Sequence, residues 1–164
     1  MLLIEEQMRI LKFMNEMTGR VDMNEFAKKM GLTSSQIMQH MQELAQEGFL
    51  KKVGGGFAIT EKGKNALKVA APVPGNMRFN FYIAIGQPTG MSAETIREFH
   101  DLVLKVDVAS LEFHLGRGDF ENWFRLAVVD AGFADELVKM KKADLKGEDL
   151  RKAIAKAAEA RYSL

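Results

Sequence analysis

Apolar residues recur along this chain with two different periods, and the changes of period mark its elements. Ile4, Met8, Leu11 and Met14 return every three or four positions, with Ile10 and Phe13 widening the stripe, the spacing that buries one face of a helix. Thr18 and Gly19 end this first helix. A second helix is predicted from Asp22, whose carboxylate caps free amides while Glu25 closes a capping box and Val21 staples onto Phe26. Its inner face is Phe26, Ala27 and Met30, and Gly31 suits the left-handed residue that ends it. Thr33 then repeats the device as cap, with Gln36 completing the box and Leu32 stapled to Ile37. Two start signals eleven residues apart leave room only for a short turn between two helices.

In the third helix Ile37, Met41 and Leu44 share the inner face, which sends Ser35, Gln39, Gln42 and Gln46 outward with Gln36 and Met38 at the flanks. After Gly48 the pattern changes to two short β-forming segments, FLKKV and FAIT, around GGG, a hairpin turned by the residue that tolerates left-handed conformations. Thr60 caps one more helix, EKGKNALKVA, with Leu67 and Val69 expected to return to the first core.

The order helix, helix-turn-helix, hairpin, helix, together with the TEKG after the second hairpin strand, resembles the winged-helix family of DNA-binding proteins over about the first 70 residues. The resemblance implies that the third helix enters the major groove and the hairpin, the wing, lies on the backbone. Expected DNA contacts are then Ser34, Ser35 and Gln36 at the helix start, and Gln39 and Gln42 along its outer face. Glutamine can bond adenine N6 and N7 together. Lys28 and Lys29 on the second helix, and Lys51 and Lys52 in the wing, flank that face, with strand alternation sending only one wing lysine toward a phosphate. Arg20, Lys62 and Lys64 are further candidates for backbone contact.

Residues 70 to 75, AAPVPG, hold two of the three prolines and no periodic pattern, and read as a linker. Beyond it RFNFYIAIG alternates Phe79, Phe81, Ile83 and Ile85 with Arg78, Asn80, Tyr82 and Ala84, the period of a strand. QPTG is expected to turn the chain, and Ser92, with Met91 stapled to Ile96, to open a helix with Ile96, Phe99, Leu102 and Val103 inside. Four more helical stretches follow: Val108 to Leu115, one capped by Asp119 and running through Val129, Phe133 to Lys141, and Glu148 to Tyr162. A single strand cannot satisfy its own backbone, so pairing with another chain, with the wing or with a copy of itself is required. Homodimerisation through the strand is one economical answer.

FHLGRGDFENW followed by FADEL resembles a small domain of unknown function found mostly in archaeal proteins, in which an aromatic-His pair precedes a DFxxW motif. The motif positions are Phe113, His114, Asp119, Phe120 and Trp123. His114 with Asp119 is the one pair that acid-base chemistry could use, but no serine or cysteine stands as an obvious nucleophile, and the pair reads first as a structural lock.

Composition narrows the picture. An apolar content of 47% is that of a globular chain, and the lack of cysteine removes disulfides and thiolate metal sites. The three histidines have no close repeated spacing, and the glycines form no phosphate loop. No metal, no cofactor and no enzymatic activity are expected. No run reaches the roughly 20 apolar residues of a membrane span, and acidic residues directly follow the apolar start, unlike a signal peptide. A cytoplasmic location is expected. Net charge is only +1, with ten Lys and Arg against eight Asp and Glu over residues 1 to 71, so a basic footprint must be local.

The expected architecture is mainly α with a small β component: a winged helix-turn-helix at 1–70, a linker at 71–77, and a mostly helical domain with one or few strands at 78–164, serving dimerisation or sensing. The expected function is sequence-specific binding of double-stranded DNA by a homodimeric transcriptional regulator. The alternative is a protein-interaction module in a larger assembly. A protein partner or a small-molecule effector would act through the second domain, with His114, Asp119 and Trp123 as its motif.

Overall fold

The computed structural model describes residues 3–17 and 22–164. The helix stop at Thr18 and Gly19, the staple from Val21 and the charge of Arg20 lie outside the described residues. Among the described residues the chain is mainly helical with two small antiparallel sheets of two strands each, and it divides into two compact units, Met1–Lys68 and Val69–Leu164. No helix among the described residues is long and apolar enough to cross a membrane.

The first unit contains α1 (Glu5–Glu16), α2 (Met23–Met30), α3 (Ser34–Gln46), β1 (Leu50–Val53), β2 (Gly56–Ile59) and most of α4 (Glu61–Ala70). Ile10, Leu11, Phe26, Ile37, Met41, Leu44 and Leu50 form its core. The start signals act largely as expected. Asp22 accepts from the amides of Asn24 and Glu25, so Glu25 enters through its backbone. Thr33 and Gln36 form the complete reciprocal box, and Gly31 ends α2 at φ +70°. The stripe of α1 is rotated from the expected one: Gln7 is buried with Ile10, Leu11 and Met14, while Ile4 is about half exposed. Gln7 can sit inside because its carboxamide has partners, accepting from the Ile4 amide and donating to Glu43 of α3.

β1 and β2 pair from Leu50↔Ile59 to Val53↔Gly56, closing around Gly54 and Gly55. The Thr60 hydroxyl accepts from the Gly63 amide, which caps α4, and donates to the carbonyls of Gly48 and Phe49. Leu67 packs on the first core, whereas Val69, expected there too, belongs to the second.

In the second unit Val73 is buried and its amide donates to the Glu94 carbonyl, so the stretch expected as a linker is laid into this unit. A single helical turn, Gly75–Met77, leads into β3 (Phe79–Ala84), which pairs with β4 (Gln87–Ala93). This corrects three expectations. QPTG lies within β4, and the chain turns at Ile85 and Gly86, the latter at φ +72°. Ser92 is a strand residue, and α5 (Ile96–Val103) is capped by Thr95, which accepts from the Glu98 amide. The strand finds its partner eight residues on (Asn80↔Ser92 closing to Ala84↔Gln87), so its hydrogen bonds do not require a second chain. A bulge makes this hairpin fit: Gly90 takes φ +81°, and the Thr89 hydroxyl donates to the Phe81 carbonyl and accepts from the Met91 amide.

Helices α6 (Val108–Arg117), α7 (Asp119–Leu126), α8 (Ala131–Lys142) and α9 (Gly147–Tyr162) complete the unit. Its core joins Phe79, Phe81, Phe99, Phe120, Phe124 and Phe133 with Leu111, Leu137, Leu150 and Ile154. The α8–α9 packing is tied at one end by Asp130, whose carboxylate accepts two bonds from Arg161 and one from the Tyr162 hydroxyl.

Candidate functional site

Two surfaces carry the candidate residues. In the first unit, α2 and α3 are joined by Gly31, Leu32 and Thr33, and Ser34, Ser35, Gln36, Gln39 and Gln42 are all exposed on α3. Not all are available to a ligand. The Gln36 side chain accepts from the Thr33 amide, Ser34 donates to Asn24 across the turn, and Gln39 donates to Glu43 one turn on. Ser35 and Gln42 are exposed without such a tie among the described residues.

The lysines fall into two groups. Lys28, Lys51 and Lys52 are exposed, and strand alternation puts Lys52 on the same side as buried Leu50 and Lys51 on the other. Lys29 leans over the Phe13 ring of α1, at 5.7 Å from its centroid. Lys62 is occupied: its ammonium donates to the Glu47 carbonyl at the end of α3 and sits 4.5 Å over the Phe49 ring. Lys64 pairs with Glu61. From Ser34 to Gln46 there is no lysine or arginine.

The second surface lies in the second unit, where β3, α6 and α7 meet. Asp119 is the first residue of α7 rather than its cap: Gly118, at φ +78°, ends α6 and begins α7. That sharp reversal brings Asp119 back beside His114. The His114 Nδ1–Asp119 Oδ2 distance is 2.9 Å, and Nε2 accepts from the Tyr82 amide at 2.8 Å. These bonds together assign the proton to Nδ1. The ring is 3% exposed, and it closes the free edge of β3 as a strand partner would. Burial holds its pKa below the ordinary value, against the opposing pull of Asp119. Both ring nitrogens are therefore engaged in holding α6, α7 and β3 together. Trp123 acts on the same edge, its indole donating to the Met77 carbonyl at 2.7 Å while its ring stacks on Phe99.

Beside this lock is an open cleft of about 470 Å³, lined by residues that include Phe79, Asn80, Tyr82, Phe113, Arg117, Asn122, Trp123 and Leu126. Of the sequence-level motif, His114, Asp119 and Trp123 are brought together here. Arg78, Asn80, Tyr82, Asn122 and Leu126 were not anticipated. The signal for the strand residues was the polar half of the β3 alternation, which a reading centred on core positions passes over.

Among the described residues no group of three or more His, Asp and Glu side chains is placed to hold a metal ion. Comparison with protein-family models, curated proteins and solved structures finds no match to this chain.

Proposed function

We propose that the chain is a sequence-specific DNA-binding protein acting as a transcriptional regulator, with α3 in the major groove and the β1–β2 hairpin against the backbone. The observation that carries this reading is α3 itself, set across a three-residue turn from α2 with Ser35 and Gln42 exposed and, among the described residues, untied along its outer side. Such a helix fits the groove, and a bidentate glutamine-adenine pair discriminates by about 1 to 3 kcal/mol. With no lysine or arginine on α3, phosphate neutralisation falls to Lys28 and to one of Lys51 and Lys52, which gives a shallow salt dependence. Binding as a homodimer to two half-sites about 34 Å apart would double that contribution.

Selection of bound genomic fragments, followed by fluorescence anisotropy at two salt concentrations, tests this. Gln42→Ala is expected to weaken the preferred sequence selectively, by about tenfold. Lys51→Ala with Lys52→Ala is expected to weaken all sequences alike and flatten the salt dependence further. Absence of binding at low salt, or affinity unmoved by all three changes, overturns the proposal.

The exposed apolar side chains of Met38 on α3 and Val53 at the wing turn favour a second reading, a module that docks a protein partner. In that case Met38→Glu abolishes co-purification of the partner, and no DNA fragment is enriched.

A further inference from the structure

We propose that the cleft between β3 and helices α6 and α7 binds a small organic monoanion with a flat aromatic body. The site lies wholly within the second unit and stands independently of the DNA reading.

Size and walls set the body of the ligand. A volume of about 470 Å³ falls in the range of small-molecule sites, roughly 300 to 1,000 Å³. Tyr82, Phe113 and Trp123 line it, and aromatic walls favour a flat ring over a branched aliphatic chain. At the rim Ile85 and Leu126 are 81% and 71% exposed. Large apolar side chains left this bare gain about 25 cal/mol for each Å² that a ligand covers.

Charge sets the sign. The lining holds two guanidinium groups, Arg78 and Arg117, and one carboxylate, Asp119. Asp119 is already committed to His114 and to Arg117 Nε, at 2.9 and 3.3 Å. Arg78 pairs with Glu94. The Arg117 guanidinium lies 5.0 Å over the Phe113 ring, yet the side chain remains 51% exposed. A cation held against an aromatic face at the mouth of an apolar cleft is preorganised for a carboxylate. His114 contributes no charge, because its ring is buried and bonded at both nitrogens. The exposed carboxamides of Asn80 and Asn122 supply neutral polar contacts for orientation.

The test uses the full chain with naphthalene-2-carboxylate and its uncharged carboxamide, followed by isothermal titration calorimetry. Trp123 is the sole tryptophan, so its emission reports the same site. The carboxylate is expected to bind saturably, and the carboxamide about tenfold more weakly. Arg117→Gln is expected to bring the carboxylate down to the level of the carboxamide, and Leu126→Asp to weaken both. Because Arg117 also holds Asp119, Arg78→Gln provides a second removal of charge away from that pair, with circular dichroism confirming the fold. The proposal is overturned by the absence of saturable binding, by equal affinity for the two compounds, or by an anion preference that survives both arginine substitutions.

Discussion

At the scale of single residues, the strongest constraints come from atoms that approach more closely than the sequence reveals. Gly63 reads as an ordinary helix residue in TEKG, yet a Cβ there would stand 2.4 Å from the Phe49 carbonyl oxygen and 2.6 Å from Ile59 Cγ1. The Thr60 hydroxyl draws the start of α4 onto the same carbonyl. At Gly63→Ala overpacking is expected to cost about 1 to 3 kcal/mol against the roughly 1 kcal/mol that alanine returns in helix propensity, so the first unit is expected to lose up to about 2 kcal/mol. Urea unfolding followed by far-ultraviolet circular dichroism checks it; an unchanged or higher midpoint would show that the backbone relaxes freely. Asp119 carries the converse lesson. A carboxylate at a helix start reads locally as a cap; the turn at Gly118 takes that role from Asp119 and leaves it the other one the motif offered, the bond to the His114 ring.

Among elements, α2 and α3, whose starts are set by local hydrogen bonds, were legible in advance, whereas α5, capped by Thr95 rather than Ser92, was not. Thr33 and Gln36 close their box around two amides that α3 cannot satisfy internally, and the turn to α2 depends on where α3 begins. Thr33→Ala is expected to cost about 1 kcal/mol. The neighbouring Ser35→Ala, which removes no capping bond, is expected to leave stability within about 0.5 kcal/mol. Equal effects of the two changes in thermal unfolding would refute the role given to the cap. The β3–β4 hairpin shows where such reading stops. Proline and glycine in QPTG resemble a turn, but both are accommodated inside a bulged strand, because Pro88 can occupy an edge strand and Gly90 adopts the left-handed conformation. Turn chemistry and bulge chemistry use the same residues, and cross-strand register decides between them.

On the scale of the whole molecule, the second unit is held where α8 begins and α9 ends by a charged group that the sequence pattern did not single out. Burial alone would raise the Asp130 pKa, but hydrogen bonds from Arg161, from the Tyr162 hydroxyl and from the Phe133 amide outweigh it and lower the value to about 2, from 3.8. A carboxylate depressed in the folded state stabilises above its unfolded pKa, and that contribution is lost as pH falls through the folded value. The difference corresponds to about 2 kcal/mol. The stability advantage of the wild type over Asp130→Asn is thus expected to be constant above 3.8 and to shrink toward pH 2. Trp123 emission, which reports the second unit alone, follows it during acid titration. An advantage independent of pH would assign the role of Asp130 to shape rather than charge.

The helical and strand periods, the two capped helices α2 and α3 with the short turn between them, the glycine-turned β1–β2 hairpin and the mainly α character with a small β component were all legible in the sequence. Each rests on interactions between residues no more than a few positions apart, so the order of side chains suffices. Tertiary structure alone decided that Gln7 turns inward to Glu43, that Val69 and Val73 belong to the second core, that β3 pairs with β4, and that His114 completes a strand edge. It also decided that a cleft opens beside Trp123. These depend on groups brought together from distant positions, where the free energy of burial and pairing outweighs local preference.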